Sequence, residues 1–264
     1  MMSRTLRLSD GGRARVIEAG QGEPLLLIHG VGMRAEAWAP QIAALAATAR
    51  VIAVDMPGHG DSDALPGRPD LTDYVGWAAR VVQALGLGPV SVAGHSMGAL
   101  IAAGLAVERP ELVRRAALLN GVHRRSDEAR AAVRARAAEI ATGAGGIDGP
   151  LARWFTPDQA ALRDQVATWL KQVPLAGYAA AYRAFAEGDA VYGERLGQIL
   201  CPLLVLTADG DANSTPAMTQ AMAAMAPQGR AVVINGHRHM VNLTAPDAVT
   251  AELQSWLSTQ EVAA

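Results

Sequence analysis

The stretch Val90-Ser91-Val92-Ala93-Gly94-His95-Ser96-Met97-Gly98-Ala99-Leu100 decides how this chain is read. A short apolar strand runs into Gly-x-Ser-x-Gly and then into an apolar helix, the context in which that five-residue pattern means a nucleophile elbow. A serine hydroxyl is a weak nucleophile until a base removes its proton, and a sharp, strained turn is what exposes its oxygen. Ser96 occupies that turn. Gly94 and Gly98 lack a Cβ, so the incoming strand and the outgoing helix can pack closely around it. The helix that begins after Ser96 also turns free N–H groups and the positive end of its dipole toward the place where an oxyanion would form.

Outward from the elbow the chain alternates. Upstream, residues 5–8 and 13–19 flank Asp10-Gly11-Gly12 and read as an antiparallel hairpin at a sheet edge. Leu25-Leu26-Leu27-Ile28 is a continuous apolar run, suited to a parallel strand covered on both faces, and it exits through His29-Gly30-Val31-Gly32. Trp38, Ile42 and Leu45 repeat at helical spacing before the strand Val51-Ile52-Ala53-Val54, which leads into Asp55-Met56-Pro57-Gly58-His59-Gly60-Asp61-Ser62. A helix with Val75, Ala78, Val82 and Leu85 on one face, stopped by Gly86 and Gly88, precedes the elbow. Downstream of it a helix over residues 97–108 is apolar nearly all round, as expected of one buried in mid-sheet, and a strand over 115–119 follows. That order predicts a parallel, doubly wound sheet.

Between about residues 121 and 196 strands vanish and helices dominate, a stretch too long for a connecting loop and so expected to be an insertion with structure of its own. It holds seven of the eleven aromatic residues. Most of these are expected in the insertion's own core, with Trp154 and Phe155 as the candidates for a substrate pocket. His123, beside Arg124-Arg125, could touch an acidic substrate, but a solvated basic face is the commoner explanation of such a cluster. The sheet resumes at Pro202-Leu203-Leu204-Val205-Leu206, then Thr207-Ala208-Asp209-Gly210-Asp211, with Thr215-Pro216 as a helix cap and first turn. A last strand over 230–234 leads into Asn235-Gly236-His237-Arg238-His239-Met240, and Val249, Leu253, Trp256 and Leu257 mark a closing helix.

Composition narrows the function classes. Half of the 264 residues are hydrophobic, enough for one large α/β domain, yet no apolar run nears the roughly 18–20 residues of a membrane span. Residues 1–6 carry no apolar signal region, from which a cytoplasmic location is expected. Cys201 is the single cysteine, which excludes an internal disulfide and a cysteine-based zinc cluster. A net charge of -2 without a long basic run gives no nucleic-acid footprint.

A nucleophilic serine needs a histidine base, and that base needs a carboxylate to fix its tautomer. Functional groups in an open parallel sheet gather at the carboxyl ends of strands, and those ends supply Ser96, then Asp209 or Asp211, then His237 or His239. Serine, acid, histidine is the order of the α/β-hydrolase arrangement. With His29-Gly30, the Asp55 to Ser62 loop, Gly94-His95-Ser96-Met97-Gly98, Asp211 and His239-Met240, the chain resembles the α/β-hydrolase superfamily over nearly its whole length.

The resemblance implies an α/β-hydrolase fold: a mostly parallel eight-stranded sheet flanked by helices, with a helical lid inserted after the sixth strand. Residues 1–120 and 197–264 would form the core and 121–196 the lid. It makes Ser96 the nucleophile, His239 the base and Asp211 the orienting acid, leaving Asp209 as a turn residue. The backbone N–H groups of Val31 and Met97 would form the oxyanion hole, His95 would line the pocket, and His29 and His59 would be structural. No metal or organic cofactor is needed. The lid pieces Arg153-Trp154-Phe155-Thr156-Pro157 and Gly177-Tyr178-Ala179-Ala180-Ala181 look most like those of 3-oxoadipate enol-lactonases, related esterases and cofactor-free haloperoxidases. The implied reaction is hydrolysis of a small carboxylic ester or lactone through an acyl-enzyme, with no nucleic-acid or membrane partner and a possible homodimer. Carbon–carbon bond hydrolases of ring-fission diketones are the rival, although these usually have Asn where this chain has His95. A non-catalytic small-ligand receptor on the same fold is the other.

Overall fold

The structure, a computed structural model, describes residues 1–259, so the last five residues of the expected core segment 197–264 lie outside it. All eight expected strands form one sheet: β1 (Met2–Arg7), β2 (Arg13–Ala19), β3 (Glu23–Ile28), β4 (Ala49–Val54), β5 (Val90–His95), β6 (Val113–Leu119), β7 (Leu203–Ala208) and β8 (Gly229–Ile234). Their spatial order is β1-β2-β4-β3-β5-β6-β7-β8. β1 pairs antiparallel with β2 and β2 with β4; every other pairing is parallel.

The apolar runs are continuous because both faces of the strands are covered. Leu26, Ile28, Ile52, Val54 and Val92 enter one core layer, and Leu25, Leu27, Val51, Ala53 and Ala93 enter the other, the two-residue alternation of a strand. Helices α2 (Leu71–Leu85) and α3 (Met97–Glu108) cover the first face, and α1 (Ala39–Leu45) and α10 (Pro246–Leu257) the second. Asp70 and Asp73 form a capping box at the start of α2, and Gly86 ends it in the left-handed region at φ 64°. α3 is buried along nearly its whole length, which explains its lack of a polar face.

The sheet reverses its winding beside β3: the chain steps to β4 on one side and returns to β5 on the other. A crevice opens at such a switch point, outside the carboxyl ends of the strands. Register brings those ends level. Ile28 pairs with Gly94, Leu119 pairs with both His95 and Leu206, and Ala208 pairs with Ile234. The loops after β3, β5, β6, β7 and β8 therefore emerge at one edge.

Over that edge lie α4 (Asp127–Ala141), α5 (Asp148–Trp154), α6 (Ala160–Gln172) and α7 (Leu175–Gly188), all between β6 and β7. They share a third apolar cluster with the core, in which Ile140, Leu151, Val166 and Leu170 pack with Met33, Met240 and Leu243. α7 rests on the loop after β4 at a backbone contact: a Cβ on Gly177 would stand 2.1 Å from the Gly58 carbonyl oxygen. The remaining helices are α8 (Pro216–Met225), capped by Thr215, and the short α9 (Val241–Thr244). Among the described residues no helix is long and apolar enough to cross a membrane.

Candidate active site

Ser96 sits between β5 and α3 with φ 55° and ψ -114°, a conformation that a non-glycine residue adopts only when its surroundings enforce it. Two hydrogen bonds enforce it: the Ser96 N–H donates to Leu119 O (2.8 Å), and the Ala99 N–H donates to Ser96 O (3.0 Å). The flanking glycines are sterically required. A Cβ on Gly94 would lie 1.9 Å from Gly98 O, and one on Gly98 would lie 2.2 Å from Ile28 O. The elbow can thus press against β3, and the Val31 loop lies beside it.

Asp211, at the end of β7, is buried and meets His239, from the loop after β8, through His239 Nδ1–H donating to Asp211 Oδ2 at 2.8 Å. That bond commits Nδ1 to Asp211 and orients the ring, so Nε2 is the nitrogen left to act as a base. Asn213 and Ser214 N–H groups donate to Asp211 Oδ1 (2.8 and 3.2 Å), and Asn120 Nδ2 donates to Oδ2 (2.8 Å). Burial works against the charged carboxylate, but His239, Asn120 and the Asn213 N–H outweigh it and hold the Asp211 carboxyl below its ordinary value. The rival residues are occupied elsewhere. Asp209 accepts from the Gly236 N–H in the turn, and His237 pairs with Thr244 Oγ1 at 3.0 Å.

Ser96 and His239 line one cavity of about 440 Å³ together with Gly30, Val31, His95 and Trp154. His95 lies against His239 (ring centroids 5.0 Å apart), and its Nε2–H donates to the His239 backbone carbonyl at 2.8 Å. Burial pushes the His95 pKa down to about 3, so the ring is a neutral brace for the His239 loop. The Trp154 ring centroid stands 5.6 Å from that of His239.

Two further histidines hold the loop that carries Val31. His29 Nδ1–H donates to Gly30 O (2.8 Å) while its Nε2 accepts from the Met56 N–H (2.9 Å). His59 Nε2 accepts from the Gly32 N–H (2.9 Å), and its Nδ1–H donates to Pro57 O (3.1 Å). Both rings are fully buried and held neutral, with pKa values driven down to about 4 and about 3. Neither the Val31 nor the Met97 N–H makes a hydrogen bond to another described residue. An anion at the elbow would find both donors free.

Two expectations need correction. Phe155 is not in the cavity: it is buried in the third apolar cluster with Leu151, Val166 and Leu170. α5 ends at Trp154 and Phe155 turns to extended backbone, so the two rings leave the chain in different directions. The basic face expected around His123 is solvated only at Arg124, which is exposed; His123 and Arg125 are both buried and Arg125 lines the cavity. Sequence reasoning also missed Asn120, Tyr182 and Arg136. Asn120 carried a usable signal, because it stands at a strand's carboxyl end like the other site residues.

The sequence profile of the Alpha/beta hydrolase family matches residues 25–253. Over 261 residues, 98% of this chain and 99% of the relative, the chain is 51% identical to the (E)-2-((N-methylformamido)methylene)succinate hydrolase of Acinetobacter baylyi. Among solved structures it is similar to the malate-bound thermophilic esterase of Thermogutta terrifontis (TM-score 0.88, 26% identity, 97% of this chain and 98% of that one). It is also similar to the enol-lactonase of Burkholderia xenovorans (TM-score 0.89, 25% identity, 97% and 100%).

Proposed function

The chain belongs to the alpha/beta hydrolase family, and we propose that it is a hydrolase that cleaves an acyl bond of a small carbonyl substrate through Ser96, His239 and Asp211. The observation that carries this is the buried Asp211 to His239 hydrogen bond together with a serine held in a strained elbow, Ser96 and His239 both lining one cavity.

In this reading Ser96 Oγ attacks the carbonyl carbon as its proton passes to His239 Nε2. The negative oxygen of the tetrahedral intermediate accepts from the Val31 and Met97 N–H groups. Collapse breaks the bond to the leaving group, which takes the proton from His239. Water then attacks the acyl-enzyme, again losing its proton to His239, and the acid leaves with Ser96 restored. Asp211 stays ionised and steadies the imidazolium, while Asn120 keeps Asp211 in place.

The substrate named for the Acinetobacter relative is a formamide bearing two carboxylates. At 51% identity over 98% of the chain, that compound is the favoured substrate. Attack on its formyl carbon would break the formyl C–N bond, giving a formyl-enzyme and releasing the dicarboxylate N-methyl enamine, whose nitrogen takes the proton from His239. A small ester or lactone is the second reading, favoured by the likeness to the esterase and the enol-lactonase.

The test compares wild type with Ser96→Ala on (E)-2-((N-methylformamido)methylene)succinate, p-nitrophenyl acetate and butyrate, and a ring-fission diketone. The expected result is turnover of the formamide that falls by at least about a thousandfold in Ser96→Ala. Turnover that survives in Ser96→Ala would defeat the proposal, and preference for the esters or the diketone would redirect the substrate assignment.

A further inference from the structure

The cavity has two chemically different walls. Ser96 and His239 belong to the elbow side, whereas the helices between β6 and β7 contribute Arg125, Arg136 and Arg153 against a single carboxylate, Glu139. The three arginines come from three segments, the loop before α4, α4 itself and the last turn of α5. Their charges converge on Tyr182: burial pushes its phenol pKa up, and all three guanidiniums oppose that shift.

Arg125 is the most constrained. It is 6% exposed, its guanidinium lies 4.3 Å above the Phe185 ring, and its Nη1 bonds Phe185 O (3.2 Å) and pairs with Asp189 (3.3 Å). Asp189 is shared with Arg130 at 3.5 Å, so it does not neutralise Arg125 alone. Arg125 Nη2 is buried with no hydrogen-bond partner. Arg136 donates to Glu139 (3.1 Å) and to Gly146 O, and its Nε is likewise buried without a partner. Arg153, at the surface, makes no hydrogen bond or ion pair with another described residue.

Removing a guanidinium from water without completing its hydrogen bonds is costly, and a hydrophobic side chain would fill the same wall at no such cost. A planar fork with donors left over matches a carboxylate, which accepts two parallel N–H bonds. Resting on the hydrolase reading above, we infer that this wall is a carboxylate subsite in which Arg125 and Arg136 hold the anionic end of a succinate-type substrate. Arg153 draws the anion in at the surface, and the acyl carbon is left facing Ser96. A cavity of about 440 Å³ suits a ligand of that size. Asp189 and Phe185 are the mounting that keeps Arg125 from collapsing onto another partner.

The experiment measures binding of succinate and of dimethyl succinate by calorimetry in the Ser96→Ala background, where neither is turned over, and then with Arg136→Met or Arg125→Lys added. Succinate is expected to bind Ser96→Ala, with dimethyl succinate at least about tenfold weaker, and either arginine change should weaken succinate by at least about tenfold. Arg125→Lys keeps a charge for Asp189, and Arg136 lies on an outer helix, so the pair guards against a variant that fails to fold. Succinate binding unchanged in both arginine variants, no succinate binding to Ser96→Ala, or equal binding of the diester would each overturn the subsite. These binding arms involve no turnover, so failure of the serine mechanism would show separately, as activity retained in Ser96→Ala.

Discussion

Asn120 shows how much one side chain outside the proposed triad can matter. Its Nδ2 joins Asp211 to β6 and also reaches Thr207 Oγ1 (3.3 Å), and its φ of 50° is one that Asn tolerates better than most residues. Asn120→Gly keeps that backbone while deleting the amide. A kcat roughly tenfold lower, with KM for p-nitrophenyl acetate little changed and a melting temperature lower by only about 5 °C, is the expected outcome in steady-state kinetics and calorimetry. A kcat equal to wild type would remove Asn120 from the machinery. At this scale chain order and strand ends pointed to Ser96 and to the loops that hold the acid and the histidine, and the family resemblance chose Asp211 over Asp209 and His239 over His237 within them. Arg125 was not. Its partners Phe185 and Asp189 lie 60 and 64 residues away, and a doublet of arginines in sequence looks the same whether solvated or buried.

Elements explain why the elbow tolerates so little change. β5 and α3 meet at Gly94 and Gly98, and α3 meets β3 through Gly98, in each case backbone against backbone. A methyl at Gly98 has no flexible side chain to displace, so Gly98→Ala should lower the melting temperature by on the order of 10 °C. Gly146→Ala, where a Cβ meets nothing within 4 Å, should change it by no more than a degree or two. Equal melting temperatures for the two variants would show that the elbow can relax. The helices over the crevice were legible as helices but not as a surface. Helical spacing does not say which stripe faces a cavity, and here Tyr182 and Arg136 face it while Phe155 packs into the third apolar cluster.

For the molecule as a whole, the buried neutral histidines couple the site to stability. His29, His59 and His95 have folded pKa values of about 4, 3 and 3 against an ordinary 6.5, all driven down first by burial. The unfolded chain therefore binds protons that the folded one refuses, and stability that is complete above about pH 6.5 is lost as pH falls toward 4 and 3. Calorimetry should find a flat melting temperature from pH 8 to 7 and a fall on the order of 10 °C by pH 5. A flat profile down to pH 5 would mean that the rings are hydrated. The same closure of distant parts is seen where Arg238 Nη1 donates to Ala152 O and Phe155 O (2.8 Å each), tying the His239 loop to α5. Sequence by itself determined the alternating strands and helices, the elbow at Ser96 and the edge at which Asp211 and His239 emerge, because apolar periodicity and strand order are local signals. Only the tertiary structure decided that the helices between β6 and β7 turn Arg125, Arg136 and Tyr182 toward the cavity and withdraw Phe155 from it. That choice depends on how separate helices pack, a free-energy balance among contacts that no short stretch of sequence contains.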